Sequence, residues 1–229
     1  MAKPSEFAIV GMRLSPWPDI LVFMAETVVD RQVIARRGIR LECFTIAWNS
    51  LEGIVGVVAG LIAGSISLVG FGVDSFIEVI SGAALMWRMS VDAEEQYRER
   101  IERVTLRMVG ACFLALAVYV GYEAVSNLLE RKTPEHSLAG IILACVSLVV
   151  MPLLARAKRR VALQLKSGAM HADAKQADFC MYLSAILLGG LLLNAVTNLG
   201  WADPVSGLIM VPIIGKEAVE GLRGKTCCD

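Results

Sequence analysis

Net charge is missing from this 229-residue sequence: 22 Lys and Arg balance 22 Asp and Glu. No global field therefore argues for a nucleic-acid partner. Motifs of covalent chemistry are missing as well. There is no phosphate-cradling Gly loop, no helical metalloprotease motif with paired His and no serine nucleophile elbow. The chain reads as neither an enzyme nor the holder of an organic cofactor. Histidine is scarce: His136 falls in a loop and His171 near the end of an apolar run, so both read as bystanders. No compact charged, apolar and small-residue succession marks a cleavable signal. Nor is there the repeated ring of charge or the carbonyl filter of a channel.

What is abundant is apolar residue, at 56% of the chain with a mean hydropathy of +0.61, well above an ordinary soluble domain. Crossing a hydrocarbon core takes about 20 apolar residues. Six runs approach that length: Leu41 to Ala63, Ser67 to Trp87, Met108 to Leu129, Leu138 to Ala155, Ser167 to Val196 and Pro204 to Val219. Charged, Gly-containing or Pro-containing breaks separate them. The expected fold is an all-α membrane protein with six transmembrane helices. Residues 1–40 read as an N-terminal cytoplasmic or membrane-surface segment, 41–221 as the transmembrane domain and 222–229 as a short cytoplasmic tail, with no soluble domain expected after span six.

Short cytoplasmic loops retain Lys and Arg. Arg31, Arg36, Arg37 and Arg40 precede span one. Arg88, Arg98, Arg100, Arg103 and Arg107 follow span two, and Arg156, Lys158, Arg159, Arg160 and Lys166 follow span four. The opposite loops hold Arg131 and Lys132. This distribution puts both termini in the cytoplasm, and the expected location is the bacterial inner (plasma) membrane. The mixed charges of "VDAEEQYRERIERVTLR" suggest a solvated helical turn or two. Cys43, Cys112, Cys145, Cys180, Cys227 and Cys228 lie in spans or in the tail, where thiols stay reduced, which argues against a disulfide framework. The vicinal Cys227 and Cys228 suit soft metal ions.

Span two contains Asp74 and Glu78 near its middle. An ionisable group there costs roughly 2.5–3.5 kcal/mol on insertion scales, so it normally faces a bundle interior and marks a functional site. Four residues apart, the two share a face, and Ser67 and Ser81 extend that stripe. Span five offers two polar stripes: Asp173, Gln176, Cys180 and Ser184 on one, His171, Lys175, Asp178 and Tyr182 on the other. Depth favours the first. At about 1.5 Å per residue, Glu78 lies about 15 Å and Asp74 about 21 Å from Arg88, while Gln176 and Cys180 lie about 15 and 21 Å from Lys166. Asp173, at about 10 Å, suits a gateway position. Span one carries a third stripe, Glu42, Thr45, Asn49 and Glu52, with Glu52 about 18 Å beyond Arg40. On the same helix Gly56, Gly60 and Gly64 form a small-residue ridge for close helix packing.

Two carboxylates, an amide oxygen and a sulfur suit one divalent cation, and apo carboxylates held together tend to keep protons instead. That alternation is a cation–proton exchange in outline. Sulfur favours zinc and softer ions such as cadmium, whereas the amide oxygen is a harder donor, so the set does not fix the metal.

At this point "SLVGFGVDSFIEVISG" resembles the second span of the cation diffusion facilitators, in which two acidic or His ligands sit four apart; Asp74 and Glu78 occupy those positions. In span five the Ala172–Asp173 pair matches the family's Ala-Asp pair, which puts Gln176 and Cys180 at its ligand positions, where the family usually carries His or Asp. The resemblance covers roughly Leu41 to Val219. It implies a six-span homodimer, joined here through its spans, that exports divalent metal ions by proton exchange. The implied metal ligands are Asp74, Glu78, Gln176 and Cys180. Asp173, Glu52 and Asn49 read as gateway, supporting or proton-handling groups. The substrate is a divalent cation, zinc first, with cadmium or cobalt behind it. The competing reading is a non-transporting membrane regulator or interaction protein that keeps the fold, favoured by the altered ligands of span five.

Overall fold

The computed structural model describes residues 17–90, 95–165 and 168–223. Residues 1–16, and the tail cysteines Cys227 and Cys228, lie outside the described residues. Six helices occupy the described residues: α1 Trp17–Ala63, α2 Ile66–Ser90, α3 Glu95–Leu129, α4 Leu138–Leu165, α5 Gly168–Thr197 and α6 Ala202–Arg223. Five of them are long and apolar enough to cross a membrane, over Val33–Ala63, Ile66–Trp87, Arg103–Leu129, Leu138–Leu165 and Asp173–Thr197. The chain is an integral membrane protein. In α6, Asp203 at one end and Lys216, Glu217 and Glu220 at the other flank an uncharged stretch from Pro204 to Gly215, shorter than the about 20 apolar residues a crossing takes.

The helices outrun the apolar runs that announce them. Helix α1 is continuous from Trp17, so the segment before Leu41 joins the span without a break. Helix α3 starts at Glu95, absorbing the mixed-charge stretch from that residue on, and α4 continues ten residues beyond Ala155 to Leu165. Hydropathy marks the part of a helix that lies in hydrocarbon; backbone hydrogen bonding and i,i+4 charge pairs carry it further into polar surroundings.

Packing sorts the helices into pairs. Helix α1 lies against α2, α3 against α6 and α4 against α5; α1 also meets α4, while α2 and α5 connect that group to α3 and α6. Helices α1, α2, α4 and α5 therefore surround a common interior. The α1–α2 contact is close because glycines face one another. A Cβ on Gly56 would stand 2.9 Å from the Gly72 Cα, and one on Gly72 would stand 2.6 Å from the Val57 backbone nitrogen. Gly60 approaches the Val69 backbone nitrogen equally tightly, at 2.7 Å. Gly64 differs from its expected place on this ridge: nothing lies within 4 Å of its Cβ position, and its φ of 65° makes the left-handed turn that ends α1, a conformation glycine enters without penalty. Helices α3 and α6 meet the same way at Gly110 and Gly221.

A buried carboxylate fastens the α1–α2 turn. Asp203, fully buried, accepts hydrogen bonds from the Ser65 hydroxyl at 2.5 Å, from the Ile66 backbone N–H at 2.9 Å and from the Ser67 hydroxyl. It thus caps the first turn of α2 from the first turn of α6, giving exposed N–H groups at a helix start the acceptor they need.

Two outcomes follow from this packing. Gly72→Leu forces α1 and α2 apart and should destabilise the protein by about 1–3 kcal/mol or more, whereas Gly189→Leu, with open space at its Cβ, should leave stability unchanged; unfolding of the detergent-solubilised protein reads both. Asp203→Ala strands two hydroxyls and an N–H, at about 1–3 kcal/mol for each that stays buried and unsatisfied, and should lower the same unfolding midpoint.

Candidate functional site

The buried stripe of α2 carries Asp74, wholly inaccessible, and Glu78, which is 5% exposed. From α5, one face presents Cys180 and Ser184, both wholly buried. Asp74, Glu78 and Cys180 converge: one ligand atom from each lies within 4.8 Å of the other two. Among the described residues, neither oxygen of Asp74 and only one of Glu78 meets a donor; the Asn49 side-chain amide gives Glu78 Oε2 a hydrogen bond of 2.5 Å. At an effective dielectric of about 20, two unit charges no more than 4.8 Å apart repel by at least about 3.5 kcal/mol. A bare pair of negative charges is therefore not a stable state of this layer, and a cation or protons must balance it.

The neighbours come from α1. Glu52 is wholly buried with both carboxylate oxygens unpartnered, and Trp48, Ser75 and Ser147 flank it. It stands beside the three converging groups without coming within 4.8 Å of all of them. Asn49, one turn earlier, orients Glu78. Gln176 sits one turn before Cys180 on α5, half-buried, with its side-chain nitrogen buried and without a partner. An amide so placed is free to turn its oxygen inward, the orientation a cation demands.

The second stripe of α5 faces elsewhere. Asp178 pairs with Arg159 of α4, and Tyr182 is 57% exposed. His171 is half-buried and His136 hydrogen-bonds Asn198 at 2.9 Å in an exposed turn.

Asp173 lies below the central layer in a second cluster that the sequence pattern concealed. Its carboxylate contacts the Lys158 ammonium, which also meets Glu42 Oε2 at 3.2 Å; Lys158 is 1% and Glu42 0% exposed. Lys158 sits in a basic run that reads as a topology signal. The clue was its spacing: Ser147, Met151, Leu154, Ala155, Lys158, Val161 and Ala162 form the buried stripe of α4, which Arg156, Arg159 and Arg160 avoid. Asp203 likewise carries no sequence signal beyond that of an ordinary acidic residue in the first turn of a helix.

Comparison with known proteins agrees with this geometry. Over 203 residues the chain is 25% identical to a probable cation efflux system protein of Mycobacterium tuberculosis, covering 83% of this chain and 59% of that protein. Over 182 residues it is 25% identical to an uncharacterized transporter of Methanocaldococcus jannaschii, covering 77% of this chain and 64% of the relative. The chain thus spans less than two thirds of the length of these relatives. The profile of the cation efflux transmembrane domain matches residues 44–224, from α1 through α6, and the chain belongs to that family.

Proposed function

We propose that the protein exports divalent metal cations, zinc or a softer relative such as cadmium, and that Asp74, Glu78 and Cys180 hold the ion in transit. One observation supports this above the others: two carboxylates and a thiol from neighbouring helices meet in a buried layer with three of the four carboxylate oxygens unpartnered. Two carboxylates neutralise a dication, and the sulfur biases the site toward ions that tolerate thiolate. The Gln176 oxygen supplies a fourth donor, completing the tetrahedral number that zinc favours.

Proton exchange follows from the same charge balance. When the cation leaves, the layer needs positive charge again, and protons on the carboxylates provide it. Glu52, unpartnered beside the site, is a second proton carrier, and Asn49 keeps Glu78 aimed as the cation comes and goes. The distribution of Lys and Arg puts the α2–α3 and α4–α5 loops in the cytoplasm, so the cation enters from that end. The working unit is a homodimer joined through transmembrane helices, as in the diffusion facilitators the sequence resembles.

Purified protein in liposomes tests the reading. Zinc or cadmium flux should fall at least about tenfold in Asp74→Ala, because an interaction with a buried charged ligand is worth more than the 1.4 kcal/mol that a factor of ten requires. Full flux in that variant rejects the site. Binding without flux in the wild type supports the non-transporting regulator. Cys180→Ser replaces a soft donor with a hard one and should depress cadmium transport more than manganese transport; equal losses would remove sulfur from the ligand set. A pH gradient acidic on the face toward which the cation moves should accelerate flux, and no response would remove the proton from the cycle.

A further inference from the structure

The central layer does not use the Lys158 cluster, yet burying an ammonium at 1% exposure is costly. Such a group is retained only where partners are close, and breaking one partner from it leaves an uncompensated buried charge. Lys158 comes from α4, Glu42 from α1 and Asp173 from α5, so one side chain ties together three helices that line the site. The cluster carries two carboxylates for one ammonium, leaving one negative charge in excess. Glu42 Oε1, in a wholly buried side chain, has no partner. A dication in place of the ammonium would balance both carboxylates.

The cluster also lies on the line of approach. A Cβ on Gly82 would stand 3.5 Å from Glu42 Oε2, and Gly82 is one turn beyond Glu78 on α2, about 6 Å along the axis. Past the cluster, toward the α4–α5 end, Leu85, Val161, Ala162 and Met170 form a separate apolar knot with Ile34, Leu41 and Leu165 packed on it. Val161 is one turn beyond Lys158, and Met170 one turn before Asp173. Three layers therefore stack along α1, α2, α4 and α5: the acid–thiol layer, the ammonium cluster and the apolar knot.

We propose that Glu42 and Asp173 form a second divalent-cation position on the way to Asp74, Glu78 and Cys180, and that the Lys158 ammonium is a tethered cation that fills this position and latches the α4–α5 end shut until a metal ion displaces it. The latch holds helices together while it is filled from within the chain. An arriving dication exchanges for the ammonium, releases the Lys158 tie among α1, α4 and α5, and then passes one layer inward. This rests on the proposed function for the direction from which the ion arrives and for its destination at Asp74, Glu78 and Cys180.

Two measurements on the full chain decide it. The first uses Cys180, wholly buried, in a background with every other cysteine changed to serine, reacted with a water-soluble maleimide. Lys158→Gln should label about tenfold faster or more, the range in which an ordinary coupling energy shifts an equilibrium, while Lys158→Arg keeps the charge and stays near the parent rate. Parent-like labelling in a folded Lys158→Gln chain overturns the latch. If that variant fails to fold, Glu42→Gln with Lys158→Met and Asp173→Asn leaves no charge to bury, and protected Cys180 in this triple variant overturns it equally. The second measurement starts from Asp74→Ala with Cys180→Ala, which disables the central layer. Adding Lys158→Met should create binding of one further Cd²⁺ per chain, abolished by Asp173→Asn; no gain overturns the second position. Failure of the wild type to transport any cation would sink the proposed function while leaving both results readable.

Discussion

Uncompensated carboxylate charge in a low-dielectric interior is the constraint around which this molecule is arranged. Glu42, Glu52, Asp74, Glu78 and Asp203 are all buried, at 0–5% exposure, and each is handled differently. Asp203 is saturated by neutral donors, Glu42 meets an ammonium on one oxygen and Glu78 an amide on one oxygen, while Asp74 and Glu52 have no hydrogen-bond partner among the described residues. Protein carboxylates are ordinarily satisfied when buried. The gradient from full to absent satisfaction ends at the layer where the proposed cation would sit.

Holding such groups close requires backbones that do not yield. The Gly56–Gly72 and Gly60–Val69 contacts bring α1 against α2 so tightly that Cβ atoms have no room, which fixes Asn49 and Glu52 of α1 opposite Asp74 and Glu78 of α2. With little hydrophobic gain available between helices in lipid, this close approach is what small residues supply. The α4–α5 pair does the same for Cys180, anchoring its helix through the Ser184 hydroxyl, which donates to the Cys180 carbonyl at 2.8 Å and shares a hydrogen bond of 3.1 Å with the Ser147 hydroxyl.

Much of this was legible without coordinates. Hydropathy located the helices because lipid demands long apolar runs, and it misjudged their ends because a helix does not stop where hydrocarbon does. Counting residues from Arg88 and Lys166 put Asp74 and Cys180 at one depth, and their ligand atoms do converge; rise per residue is nearly constant, so depth survives where lateral position does not. Periodicity also separated Cys180 from Asp178 correctly, since Asp178 turns to Arg159. Lys158 and Asp203 were hidden for a physical reason. Both lie at the ends of spans, where a charge is ordinarily at home in water, and only the packing of other helices around them makes them interior groups. Gly64 was indistinguishable in spacing from its ridge partners, because a four-residue interval is shared by a packing face and by the turn that follows it.

The Asp203 clasp gives the bundle ends of unlike chemistry. At one end a carboxylate is closed by hydroxyls and an amide hydrogen, which no metal ion can replace by simple exchange; at the other a carboxylate pair is closed by a cation, which another cation can replace. The two fastenings share no residue, and loosening the ionic one leaves the neutral one intact. The two ends of the bundle thus differ in the kind of bond that closes them: hydroxyls and an amide hydrogen on Asp203, an ammonium on Glu42 and Asp173.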